Sequence, residues 1–111
     1  YEVGKDILFN SNLKVESEPK IIVNDFNLLE PYPNPFNPVI QIKYEILKPG
    51  NFSILIFDLR GNLIEKILED DFHNSGLHST QWSGQKKSSG VYFIVLRSSQ
   101  SEVIRKVILL K

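Results

Sequence analysis

The sequence predicts an all-β chain, folded as an immunoglobulin-like antiparallel sandwich of about seven strands. Three observations predict it. From Val39 onward, apolar and polar residues alternate with the period of half-buried strands. The alternating segments are short, and Gly50, Gly61, Gly76, Gly84 and Gly90 all fall between them. No stretch carries a convincing helical repeat.

The strands follow in order. "VIQIKYEI" (39–46) puts Ile40, Ile42, Tyr44 and Ile46 on one face and Gln41, Lys43 and Glu45 on the other. "KPGN" breaks it with turn residues. In "FSILIFD" (52–58), Phe52, Ile54 and Ile56 alternate, while Leu55 and Phe57 give a second apolar side. A strand apolar on both faces is expected at the centre of a sheet, or covered on its outer side. "DLRGN" is a turn, with Gly61 free to take positive φ and Asp58 able to bond back to nearby amides. "LIEKILE" (63–69) has Ile64, Ile67 and Leu68 at helical spacing, but it is short, lacks an N-cap and lies between β segments, so it reads as a strand. "DDFHNSG" reads as a loop. "LHSTQWSG" alternates through His78, Thr80 and Trp82, and "GQKKSSG" is a second loop. "VYFIVLRS" (91–98) is β-branched and aromatic, a buried strand. "VIRKVILLK" (103–111) is a last strand running to the final residue.

Residues 1–27 are expected to be a linker or a remnant of an upstream domain, and 28–111 the domain itself. Within the first part, two readings stand for the apolar runs "KDILF" and "KIIVN". Either they lie along a neighbouring domain, or Asp6–Phe9 or Ile21–Val23 adds an edge strand. The chain starts at Tyr1 without a methionine or a signal-peptide pattern, so a piece of a longer protein is expected, with any export signal upstream.

Composition removes several function classes. With 111 residues and 41% hydrophobic content there is enough for one packed core. Thirteen basic residues cancel thirteen acidic ones, so no single-sign field draws nucleic acid or an anionic membrane. The absence of cysteine removes disulfides, thiol nucleophiles and thiolate metal sites. No apolar run approaches the roughly 20 residues of a membrane helix, so no membrane insertion is expected.

Four of the six prolines, Pro31, Pro33, Pro35 and Pro38, lie within eight residues, just ahead of the first alternating strand. Proline fixes φ and steers its predecessor away from the α region. The stretch is therefore expected to be extended, near polyproline II, pinned to the sandwich by Tyr32 and Phe36. It would deliver the chain to the first strand in a fixed direction.

That stretch, "YPNPFNP", is followed in order by "LIFDLRGNLI", "SGLHSTQWSG", "SGVYFIVL" and "KVILLK". Together these resemble the C-terminal sorting domain, of type A, carried by proteins exported through the type IX (Por) secretion system of Bacteroidota and related bacteria. By position, the proline motif falls on Tyr32, Pro33, Asn34, Pro35, Phe36, Asn37 and Pro38. The turn motif falls on Phe57, Asp58 and Gly61, the Gly-x-His element on Gly76 and His78, and the tryptophan on Trp82. Ser89, Gly90, Val91 and Tyr92 form the next element, and Lys106 to Lys111, with Leu109 and Leu110, the basic-apolar terminal strand. Ser83 stands where the family often has Asp, and Val107 where it often has Met. The resemblance implies an immunoglobulin-like sandwich that is not an enzyme and takes no cofactor. It also implies a secreted or cell-surface protein, reached through the periplasm and outer membrane. The implied partners are the outer-membrane translocon, an associated surface peptidase that removes the domain in many members, and an upstream cargo domain.

Other functions find less support in the residues. "EDDFH" with His73 offers carboxylates and imidazole, but on a loop it reads as a solvated acidic turn rather than a metal site. His78 beside Trp82 reads as a cross-strand contact rather than a base. No catalytic order or phosphate loop stands out. A carbohydrate- or surface-binding sandwich would need Trp82, Tyr32 and Tyr92 exposed and coplanar on one face. A hook-cap-like structural domain is a further alternative. The terminal strand is the expected direct determinant of sorting, because an edge strand offers its backbone groups to a partner.

Overall fold

The computed structural model describes residues 25–111. Among them are seven strands and no helix: β1 (Phe26–Leu28), β2 (Val39–Ile46), β3 (Gly50–Asp58), β4 (Leu63–His73), β5 (Gly76–Ser83), β6 (Gly90–Arg97) and β7 (Glu102–Leu109). They form two antiparallel sheets, a three-stranded one ordered β1-β2-β5 and a four-stranded one ordered β4-β3-β6-β7. The expected seven-stranded all-β sandwich is what the chain builds.

The alternating residues make the core between the sheets. Ile40, Ile42, Tyr44 and Ile46 of β2 face Phe52, Ile54 and Ile56 of β3 and Tyr92, Ile94 and Leu96 of β6, all buried. β3 lies between β4 and β6, and its second apolar side is partly covered too, with Leu55 buried. The central position expected of that strand is confirmed.

Two expectations need correction. The segment Asp70–His73 is not a loop but the end of β4, and only Asn74 and Ser75 connect it to β5. An edge strand tolerates such charges because most of β4 faces solvent, and Asp70, at φ 53°, sits in a bulge between the Phe52–Asp71 and Ile54–Leu68 pairs. The Asp70 N–H is held by the Ser53 hydroxyl at 2.9 Å. The last strand ends at Leu109, not at Lys111. The segments Asp6–Phe9 and Ile21–Val23 lie outside the described residues; the first described strand is β1, whose Phe26 and Leu28 are buried against β2. Phe26 meets Phe52 edge-on, with ring centroids 5.3 Å apart, and so joins the two sheets.

Candidate recognition site

The residues singled out in the sequence gather at two ends of the sandwich. At one end are the proline segment, Asp58 and Gly61, Trp82, Gly90, Tyr92 and the close of β7. At the other are Gly76, His78 and the unexpected His73.

The proline segment is not a straight polyproline rod. It bends at Pro33–Pro35 and again at Asn37 and Pro38, and it touches the sheets through two single bridges, Tyr32 to Gln41 and Phe36 to Leu109. The X–Pro bonds at Pro33, Pro35 and Pro38 are cis. Of the two anchors expected, one is an anchor. Phe36 is buried, whereas Tyr32 is 46% exposed, with Lys43 Nζ 5.5 Å from its ring centroid.

Phe36 inserts between the sheets beside Trp82, ring centroids 5.6 Å apart, and Trp82 in turn meets Tyr92 at 5.3 Å. Gly84 makes this possible. A Cβ there would come within 2.8 Å of Leu109 Cδ2 and 3.5 Å of Phe36 Cε2, so a larger residue would push on both. Trp82 is buried and its Nε1–H donates to Glu65 Oε1 at 2.9 Å. The Tyr92 hydroxyl donates to the Ser88 carbonyl at 2.7 Å, tying the β5–β6 loop down. With Trp82 and Tyr92 both buried, the three-aromatic platform a glycan would need does not form.

Asp58 organises the adjacent β3–β4 turn. Its Oδ1 accepts from the N–H groups of Arg60 and Asn62, both at 2.9 Å, and Oδ2 from Asn62 Nδ2 at 3.2 Å. The hydrogen bond from the Asn62 backbone is the main cause holding its carboxyl below the ordinary carboxylate value. Gly61 sits at φ 87°, the left-handed conformation this turn requires. Asp58 pairs with Tyr92 across β3 and β6, which places the turn next to the aromatic cluster.

The C-terminal strand runs through the same end. Leu109 is buried, Leu110 is half exposed, and the Lys111 N–H donates to Ser89 Oγ at 2.9 Å while its Nζ reaches the Gln85 carbonyl. Farther along β7, the Arg105 guanidinium donates to the Leu28 carbonyl at 2.7 Å and lies 3.6 Å from a Glu30 carboxylate oxygen, fastening β1 to β7 across the two sheets.

At the opposite end, His73 rather than His78 is the buried histidine. Its Nδ1 lies 2.9 Å from the Asp71 carbonyl, which can only accept, so Nδ1 carries the proton. In the neutral ring Nε2 then accepts from the Tyr44 hydroxyl at 2.8 Å. Burial, and then the Asp71 charge, push the Tyr44 phenol above its ordinary value. His78 is the cross-strand partner of Tyr44, with stacked rings 5.5 Å apart, and its Nε2 donates to the Asn74 carbonyl. Among the described residues no three His, Cys, Asp or Glu side chains come together to hold a metal.

Comparison with known proteins identifies this arrangement. A family model described as "secretion system C-terminal sorting domain" matches residues 30–110. The chain belongs to that family. The matched range takes in every motif residue named above except Lys111, and it gives the sorting domain a secretion-signal role in type IX export. Membership implies a secreted or cell-surface protein that meets the secretion machinery and carries a cargo; among the described residues no helix is long and apolar enough to cross a membrane. The sorting domain also resembles part of the crystal structure of dimeric latent PorU from Porphyromonas gingivalis, with TM-score 0.60 and 17% identity over 86% of this chain. That likeness is one of fold, and the chain spans 10% of the PorU chain. No curated protein matches it.

One contact escaped the sequence reading. The Asn34 side chain, flanked by two prolines that have no N–H, bonds the backbone of β7 through both of its amide atoms. The only signal for it was an amide-bearing side chain placed where the main chain lacks donors.

Proposed function

We propose that the sorting domain proper begins with β1 at Phe26, two residues ahead of the expected 28–111, because Phe26 is part of the core, and that the residues before it are the linker to an upstream cargo. In this reading the outer-membrane translocon of the type IX system recognises the folded domain by the end containing the close of β7. The type A assignment rests on the wording of the motifs. The observation that carries the reading is convergence. Residues spread along the sequence from Tyr32 to Lys111, the proline motif, Trp82, Gly90, Tyr92 and Lys106–Lys111, meet at one end of the sandwich around the terminal strand. If a surface peptidase removes the domain, its cut falls upstream of Tyr32, because from Phe26 onward the backbone is engaged in the sheets. N-terminal sequencing of released domain tests that, and a new terminus after Pro38 would refute it.

The recognition reading predicts that deleting Lys106–Lys111 abolishes export of an attached cargo. That deletion also removes Val107 and Leu109 from the core, so a shorter deletion of Leu110 and Lys111 serves beside it, with circular dichroism checking the fold. Normal export of the longer truncation would sink the reading.

A further inference from the structure

An edge strand turns the backbone groups of every second residue outward, where they template another strand. On β7 these belong to Ile104, Lys106 and Ile108, continued past its end by Leu110. Part of this edge is already occupied, though not by a regular strand. Asn34 Nδ2 donates to the Lys106 carbonyl at 3.2 Å, and Asn34 Oδ1 accepts from the Ile108 N–H at 3.0 Å. The Phe36 N–H donates to the Ile108 carbonyl at 2.9 Å, and the Phe36 carbonyl accepts from the Leu110 N–H at 3.0 Å. These four consecutive bonds copy the ladder of a parallel strand, with a side-chain amide standing in for the first peptide group.

The imitation is short. Pro33 and Pro35 bring no N–H of their own. Among the described residues, the Lys106 N–H and the Ile104 carbonyl have no partner on this side, and the Ile104 side chain is half exposed. A regular strand lying on the same edge would repeat all four bonds and reach these groups as well. An aromatic side chain at its second position would refill the slot that Phe36 occupies beside Trp82 and Leu109.

We propose that the Asn34–Phe36 segment is a displaceable placeholder. The β7 edge beneath it is the docking site for an extended peptide strand of the secretion machinery, parallel to β7 and carrying an aromatic anchor. Until it is displaced, the segment keeps the edge from pairing with other chains. Assigning the strand to the secretion machinery rests on the sorting reading; the displaceable edge does not.

The test uses the whole chain and Asn34→Ala, which removes two of the four bonds and leaves the core intact. Asn34→Asp, which keeps the acceptor for Ile108 and turns a carboxylate toward the Lys106 carbonyl, is the second variant. The probes are a synthetic peptide of residues 30–38 and the same peptide with Pro33→Thr and Pro35→Thr. In Asn34→Ala, hydrogen exchange at the Ile108 and Leu110 amides should quicken roughly 10–100-fold, and in Asn34→Asp, which keeps an acceptor for Ile108, the quickening should be smaller, with Ile94 and Leu96 unchanged in both. Added peptide should restore slow exchange there and bind the variants at least about tenfold tighter than the wild type, whose own segment competes. The peptide carrying the two threonines should bind at least as tightly as the native one. Unchanged exchange at Ile108 and Leu110, equal quickening at Ile94 and Leu96, or peptide that binds without protecting those amides would overturn the proposal. Binding without export of a cargo fusion would refute the sorting reading and leave the displaceable edge standing. Export without binding would do the reverse.

Discussion

Phe36→Ala is the most informative single change, because it measures how firmly the proline segment is seated. The ring is buried between the sheets against Trp82 and Leu109. Truncating a buried phenylalanine costs about 3–5 kcal/mol, the lost transfer free energy plus the cavity left behind. A domain of this size has about 5–10 kcal/mol to lose, so the variant should stay folded but only marginally. With a urea slope of about 1.5 kcal/mol/M, the midpoint should fall by about 2–3 M. Trp82, the sole tryptophan, reports the transition by its fluorescence, and circular dichroism reports it independently. Phe36→Leu, which keeps most of the buried carbon, should lose only about 1 kcal/mol. A midpoint drop below about 0.5 M for Phe36→Ala would refute the reasoning, for it would mean that the segment lies on the sandwich without holding it. The same number sets what an incoming strand has to supply to take its place.

Two pH predictions follow from the ionisable groups. The Asp58 carboxyl is held below its ordinary value of 3.8, so its contribution is present above that pH and is lost as pH falls through the lowered value. Melting temperatures of Asp58→Asn and wild type should therefore converge as the solution is acidified, and a constant gap down to low pH would contradict this. Tyr44 is shifted the other way, above 10.0; its contribution is complete below that pH and is lost as pH rises through the raised value. Tyr44→Phe should cost about 1–2 kcal/mol at neutral pH, from the bond to His73, and should lack the alkaline step. An unchanged alkaline limb in thermal melts would count against it.

How much of this was legible depended on whether a feature was local. β2, β3 and β6 could be read residue by residue, because their alternation is written by the core they face, and the two-sided apolar pattern of β3 foretold its central place. β4 was misjudged at its end because Asp70 and Asp71 look like loop residues, and only the solvent-facing edge and the bulge at Asp70 make a strand acceptable there. β1 is three residues long, too short to show a period. At the site, Trp82, Tyr92 and the Asp58–Gly61 turn were recognisable because each does its work within or next to its own motif. Asn34 was not. Its partners stand 72 and 74 residues away, and only the finished register of β7 beside the proline segment shows why an amide belongs there.

The central claim, that this domain is a secretion signal, is tested most directly by export. All 111 residues would be fused behind a periplasm-directed fluorescent protein, so that β1 is kept, and expressed in a bacterium with a working type IX system. The account predicts fluorescence at the cell surface or in the medium, lost in a translocon mutant. Fluorescence held in the periplasm of the intact strain, with the fused domain folded, would contradict it.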